Sequence, residues 1–310
     1  MSHRVTLPAP TPGVATDDAV KLVVRPCTPP TSVGGVFFGG AGASLAETVY
    51  RRKPCNTMFI GTAAWSIPRA VADAFPGDGQ HLARYARQFA CAEIDTSFYR
   101  PHQRDTYARW ASLTPPHFRF AVKLPRAITH DARLRAARRP LRAFLEQANG
   151  LGDRLGVLLV QLPPSLAWDA RVARTFFGLL RDDWDGPVAC EPRHASWFDA
   201  AADRALARLR VTRVAADPAR HPGADRPGGW LGPDGDGAGA LTYWRWHGSP
   251  RLYWSSYDAR WLAHRAAALA RWPAAAVPWV IFDNTACGAA TANALALRSL
   301  VAAGRGLRAP

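Results

Sequence analysis

From residue 59 onward, short apolar runs of four to eight residues alternate with longer stretches whose apolar positions recur every three or four residues. This switching between a period of two and a period of 3.6 constrains the fold more than any other feature, because repeated βα units around a parallel sheet produce it. Strands are predicted at 59–62, 92–98, 118–123, 156–162, 187–192, 211–217, 241–248 and 278–284. Helices are predicted at 81–90, 104–113, 140–151, 169–180, 201–209, 257–272 and 289–303. Eight such units in about 250 residues imply an α/β protein, an irregular TIM-type (β/α)8 barrel, with a doubly wound open sheet as the alternative. The stretch DPARHPGADRPGGWLGPDGDGAG, from Asp217, carries no helical pattern, so one helix is expected to be missing or replaced by a long loop.

The first 57 residues differ from the rest. PAPTPG, PCTPPTSVGG and FFGGAGAS hold no sustained period, and a poorly ordered, low-complexity extension is expected there, ahead of a single domain over 58–310. Met58 directly precedes the first strand, so the extension is either a dispensable tail or the product of a start assigned too far upstream.

The formal charge of +15 would ordinarily suggest a nucleic acid or a membrane surface. Only Lys21, Lys53 and Lys123 are lysines among the 39 basic residues, and the chain is rich in Ala, Gly and Pro. That is the bias of a GC-rich coding sequence drifting to Arg wherever it is tolerated, and no run of five like charges occurs. A diffusely basic surface is therefore expected, with nucleic acid as a partner that is not favoured. Five scattered cysteines without CxxC spacing fit a reducing cytoplasm, and VLLV at 157–160 is far too short to span a bilayer. No membrane partner is expected, and the oligomeric state is not readable.

In parallel α/β folds chemistry gathers at the carboxyl ends of strands. Here those ends are rich in polar residues. The second strand carries Glu93, Asp95 and Ser97 at a period of two and runs on into Tyr99 and Arg100. The third ends in Lys123, followed by Arg126, Thr129 and His130, and the fourth ends in Gln161. The fifth delivers Glu191, Arg193 and His194, with Trp197 beyond. The seventh puts Tyr243, Arg245 and His247 on one face and Trp244 and Trp246 on the other, and the eighth ends in Asp283 and Asn284. Each buried charge costs several kcal/mol unless paired, so their convergence at one end favours a site. Glu93 and Lys123, on adjacent strands, are also candidates for a structural ion pair. The dinucleotide fingerprint, the phosphate-binding P-loop, HExxH and the GxSxG elbow are absent.

The blocks GTAAWSIP, EIDTSFYRP, FRFAVKLPRAITH, LVQLPPS, CEPRHASW, YWRWHG and IFDNTACGAATANA, in this order, resemble the signature blocks of the YecE-like family, a bacterial domain of unknown function. The resemblance covers residue 59 to about residue 300. It implies a TIM-type barrel with no established activity. Carried over by position, the family's polar residues are Glu93, Ser97, Tyr99, Lys123, Thr129, His130, Gln161, Glu191, Arg193, His194, Trp197, Arg245, His247 and Asn284. The chain departs from the pattern at Ala64, where Gly is usual before Trp65, at Pro192, and at Asp283, where Asn is frequent.

These residues lead to an expected enzyme acting on a small anionic metabolite, a hydrolase, lyase or isomerase. Arg100, Arg126, Arg193 and Arg245 are expected to anchor a phosphate or carboxylate, with Ser97, Tyr99, Thr129, Gln161, His194, Trp197 and Asn284 completing the binding surface. Glu93, Lys123, His130, Glu191 and His247 are the acid–base candidates, with Glu191 as base and Lys123 or His130 as acid or stabiliser. No cofactor is expected. A divalent metal held by Glu93, Glu191, His194 and His247 is the second reading, and non-catalytic nucleic-acid binding the third.

Overall fold

The computed structural model describes residues 58–232, 241–273 and 276–304, so the expectations for residues 1–57 lie outside the described residues. Ten strands follow one another among the described residues: β1 Phe59–Thr62, β2 Cys91–Ile94, β3 Arg119–Lys123, β4 Leu155–Gln161, β5 Val188–Glu191, β6 Val211–Arg213, β7 Ala215–Asp217, β8 Gly228–Gly229, β9 Leu241–Trp246 and β10 Val277–Phe282. Helices intervene at His81–Gln88, Arg104–Ser112, Arg138–Ala148, Ala170–Asp183, Ala200–Arg208, Ala259–Ala270 and Ala289–Gly304, each within a few residues of its predicted span.

Local chemistry sets these boundaries. Asp169, Asp199 and Asp258 each cap the helix that follows by accepting a backbone N–H of its first turn, at 2.7–3.0 Å. In the helix from Ala170, Ala173, Phe176, Phe177 and Leu180 recur at helical spacing and are all buried. Burial of each larger side chain contributes about 1.5–3 kcal/mol. The strand β4 is apolar on both faces because a sheet covers one and helices the other.

Two sheets result, in the orders β1-β10-β9-β7 and β2-β3-β4-β5-β6-β8. All pairings are parallel except that of β6 with the two-residue β8. The architecture is thus mixed α/β with parallel sheets. The sixth predicted strand, 211–217, is divided at Val214: its first half pairs with β5 and its second with β9. At the other border, Ala63 bridges to Glu93, and Ala64 donates its N–H to the Glu93 carbonyl at 2.8 Å.

Among the described residues no helix lies between β7 and β9, as the sequence pattern leads one to expect. Arg213, buried, ties this stretch down by donating to Asp203 at 2.7 and 3.2 Å and to the Gly223 carbonyl at 2.9 Å. Its guanidinium fills the space a side chain on residue 228 would need, which is why Gly228 stands there.

The second strand is shorter than predicted. It ends at Ile94, and Thr96–Phe98 form a 3-10 turn. The hydroxyl of Ser97 is shared between the carbonyls of Ile94 at 3.0 Å and Lys123 at 2.6 Å, turning the chain away from the sheet.

Apolar side chains form two groups. The larger lies between strands and helices. The smaller takes Ala63, Cys91, Ala121, Val157, Leu159, Ala189, Val214, Leu241, Tyr243, Trp279 and Ile281 from strands of both sheets. No described helix is long and apolar enough to cross a membrane. Among the described residues Cys91 and Cys190 are buried and free, and Cys287 is exposed and free.

Candidate functional site

Above the smaller apolar group, toward the carboxyl ends of the strands, the same faces turn ionic. Arg245 stands at the centre, 1% exposed. It donates to Glu93 at 2.6 Å, to Glu191 at 2.7 Å, to Asp283 at 3.0 Å and to Asp95 at 3.2 Å. The Tyr243 hydroxyl donates to the other oxygen of Glu93 at 2.7 Å. His247 lies between two carboxylates, its Nδ1 2.9 Å from Asp283 and its Nε2 2.9 Å from Glu191. Arg193 closes the ring, with Nη2 2.8 Å from Glu191.

Alternation along β9 explains why three of these residues come from one strand. Tyr243, Arg245 and His247 share a face, while Trp244 packs on Trp272 and Trp246 on Trp261 and Phe282 across the other.

The carboxyls are not equivalent. Burial pushes Glu93 up to about 8; Arg245 opposes this shift, and Asp95 and Asp283 add to it. Burial would raise Glu191 as well, but Arg193, Arg245 and His247 outweigh it and hold this carboxyl well below the usual carboxylate range. Asp283 is likewise held down, against burial, by Arg245 and His247. Glu191 and Asp283 are thus held firmly ionised, while Glu93 binds a proton more tightly than an ordinary carboxyl.

A second tier lies nearer solvent. Lys123 is 6% exposed, yet its closest carboxylate oxygen, Asp95 Oδ1, is 3.9 Å away, beyond hydrogen-bond reach. Its ammonium sits 4.4 Å from the centre of the Phe98 ring. That same ring meets His130 edge-on at 4.9 Å. His130 Nδ1 engages the Thr129 hydroxyl at 2.9 Å, and its basicity is lowered by burial, then by Lys123 and Arg126. Asp95 Oδ1 and Arg193 Nε are buried without a hydrogen-bond partner. The space enclosed beside Arg193 and His247 is about 20 Å³, enough for one water.

The structure gathers Glu93, Lys123, His130, Glu191, Arg193, Arg245 and His247 into these two tiers. It alters several expected parts. Arg245 does not face a ligand: its Nε, Nη1 and Nη2 all donate to carboxylates. Glu191, with Arg193 and His247 on one oxygen and Arg245 on the other, is an anchor and too weakly basic for the role expected of it. The ion pair of Glu93 with Lys123 is replaced by Glu93 with Arg245 and Lys123 near Asp95.

Other expected site residues stand outside the ionic cluster itself. His194 caps a short 3-10 turn, accepting from the Ser196 N–H at 3.2 Å. Trp197 is buried and donates to the Leu166 carbonyl at 2.8 Å. Ser97 and Thr129 bond to backbone carbonyls, and Gln161 reaches only the neighbouring Leu162 carbonyl at 3.4 Å. Asn284 ties its amide to the Ser255 carbonyl at 2.9 Å and to Asn293 at 2.8 Å. Arg100 is exposed, as are Tyr99 and Arg126, the last paired with Asp131 at 3.2 Å. Asp95, Tyr243 and Asp283 belong to the cluster although none was singled out as a site residue. Their only sequence signal is position at strand ends, two residues from Glu93, Arg245 and Ile281 respectively.

The metal-binding reading does not fit. Arg245 occupies the cation position between Glu93 and Glu191, and His194 is engaged elsewhere. Among the described residues no group of three or more His, Cys, Asp or Glu is arranged to hold a metal ion.

A mixed α/β protein with parallel sheets, carrying a buried ionic cluster at its strand ends, is the class that fold and site define. Residues 59–310 match the family model described as "Protein of unknown function DUF72", and the chain belongs to that family. It is 30% identical over 166 residues to UPF0759 protein YecE of Escherichia coli K12, covering 52% of this chain and 59% of that one. To UPF0759 protein YunF of Bacillus subtilis it is 24% identical, covering 46% and 52%. The matched segments thus span little more than half the length of these curated relatives. Among solved structures, a DUF72 family protein from Enterococcus faecalis superposes with a TM-score of 0.65 at 20% identity, covering 82% of this chain and 97% of that one. A DUF72 family protein from Thermotoga maritima gives 0.61 at 22% identity, covering 79% and 99%. These likenesses bear out the resemblance to the YecE-like family and fix the fold.

Proposed function

We propose that the two sheets form the wall of one (β/α)8 barrel, and that its carboxyl-terminal mouth binds a small anionic metabolite and moves a proton on it. Barrel closure is supported by the Ala63–Glu93 bridge at one border and by the divided strand 211–217 at the other. The shared apolar group supplied by strands of both sheets adds to it.

The observation that carries the functional reading is Lys123. An ammonium has three donors to satisfy, and the Lys123 Nζ, on a side chain only 8% exposed, turns them toward solvent and not toward a protein acceptor. This one has no hydrogen bond, a carboxylate beyond reach and an aromatic face beneath it. A ligand oxygen would meet that need, and Arg193 Nε offers a second donor. His130, kept neutral at pH 7 by burial and by Lys123, is the proton acceptor in this reading, with the free oxygen of Asp95 as the alternative. Glu93, Glu191, Tyr243, Arg245, His247 and Asp283 form the ionic floor that holds Asp95 and Arg193 in place.

The test is thermal unfolding with inorganic phosphate and with simple carboxylates at fixed ionic strength, on the wild-type chain and on Lys123→Met. Stabilisation of the wild type that disappears in Lys123→Met is the expected result. Equal responses of the two proteins, or none, overturn the assignment.

A further inference from the structure

Four large apolar side chains are exposed among the described residues: Tyr99, Tyr253, Trp254 and Leu300. Three of them lie in the segments that follow β2 and β9, the two strands that supply Glu93 and Arg245. Exposed aromatic side chains gathered beside a polar site are a feature of ligand surfaces, since water gives them nothing to pack on.

Two of the three are held in place. Tyr253 adopts φ 66°, a left-handed conformation that costs a bulky L-residue about 1–2 kcal/mol. Its N–H donates to the His247 carbonyl, its own carbonyl accepts from Ala286 at 3.0 Å, and its ring meets the His247 ring edge-on at 5.6 Å. Trp254 carries the Arg251 guanidinium 4.1 Å from the centre of its ring. Tyr99, 78% exposed, stands edge-on to Phe98 at 5.0 Å, the ring on which the Lys123 ammonium rests. Tyr99 is thus one ring removed from the Lys123 ammonium, and Tyr253 is one ring removed from Arg193, whose Nη2 lies 3.3 Å from His247 Nε2.

We infer that Tyr99 and Tyr253 bracket a flat ring of the ligand while Lys123 and Arg193 hold its anionic group, so that the ligand class is a planar-ring phosphate of the nucleoside monophosphate kind. The inference rests on the anion-binding reading above and adds the ring. Stacking needs only a π-face on the ligand, and Tyr supplies it with few rotors to freeze. The strained backbone at Tyr253 holds its ring in place before the ligand arrives.

Calorimetric titration with three probes separates the two claims: inorganic phosphate, ribose 5-phosphate and adenosine monophosphate. Adenosine monophosphate is expected to bind on the order of tenfold more tightly than ribose 5-phosphate, the share that stacking of one base contributes. Tyr99→Ala and Tyr253→Ala are expected to bring it down to the level of ribose 5-phosphate while phosphate binding persists. Tyr99→Phe, which retains the ring, is expected to keep the preference. Phosphate binding without any advantage for the base, or an advantage unchanged in Tyr99→Ala, overturns the ring and leaves the anion site standing. Failure of all three probes to bind overturns both.

Discussion

The apolar and the ionic parts of the face shared by strands of both sheets differ sharply although the same strands build them. In the apolar part, Val157, Leu159, Trp279 and Ile281 meet, and each contributes area that its neighbours can partly make up. At the carboxyl-terminal end, Glu93, Glu191, Arg245, His247 and Asp283 meet in an ionic layer, and each is the reason another can be buried. Stability in the first layer is spread over many weak contacts. In the second it is conditional on a complete set.

The sharpest test of that contrast is Arg245→Met, which keeps volume and removes the shared cation. It leaves Glu93 and Glu191 buried without compensation, and a loss of about 3–5 kcal/mol or complete failure to fold is expected. Ile281→Val in the apolar layer should cost only about 0.5–1.5 kcal/mol by the same denaturant unfolding assay. Comparable losses would mean that the ionic layer is no more interdependent than the apolar one.

A smaller effect, graded with pH, comes from Glu93. Its folded pKa, about 8, lies above the ordinary 4.5, so the native state holds this proton more tightly than the unfolded chain does. The stability it contributes is therefore complete below about 4.5 and falls as pH rises toward 8, by at most about 1.4 kcal/mol per pH unit. Glu191 and Asp283 act in the opposite sense: their depressed values stabilise above the ordinary carboxylate range and are lost on acidification. Midpoints of thermal unfolding should peak on the acid side of neutrality. Glu93→Gln should flatten the alkaline fall, and a fall of undiminished slope would remove Glu93 as its source.

The smallest expected change tests the border between the two layers. Ala64 has φ 60°, a conformation that favours glycine, and its N–H is committed to the Glu93 carbonyl. Ala64→Gly relieves about 1–2 kcal/mol of strain against an entropic cost of about 0.4–1 kcal/mol in the unfolded chain, so a gain of a few tenths to about 1 kcal/mol is expected. Destabilisation by the same assay would show that the alanine methyl packs usefully under the site.

How much was legible in the sequence follows from the same contrast. Strand and helix positions were readable because periodicity is local: FIGT is a strand over its predicted span, and 81–90 and 104–113 became helices at His81–Gln88 and Arg104–Ser112. The faces of β9 were readable for the same reason. Ser97 was misplaced because a hydroxyl that turns the chain leaves no mark in an alternating pattern. The division at Val214 was hidden because each half finds its partner on a different neighbour. Most of all, the sequence puts acids and bases at the strand ends without saying which cation stands among which anions. Arg245 read as a ligand anchor until its donors were found on four carboxylates separated from it by up to 152 positions.

Those separations also bear on the order in which the molecule assembles. Glu93 and Asp95 belong to the first units of the chain, Glu191 to its middle and Asp283 to its last strand, while Arg245 comes from the strand just before that one. A folding chain that has docked only some of these strands carries a stray charge in a drying interior. Partly assembled forms are thereby penalised, and the final step, seating β9 and β10, neutralises the charges together. Arg245 thus ties completion of the ionic layer to the docking of strands from the beginning, middle and end of the domain.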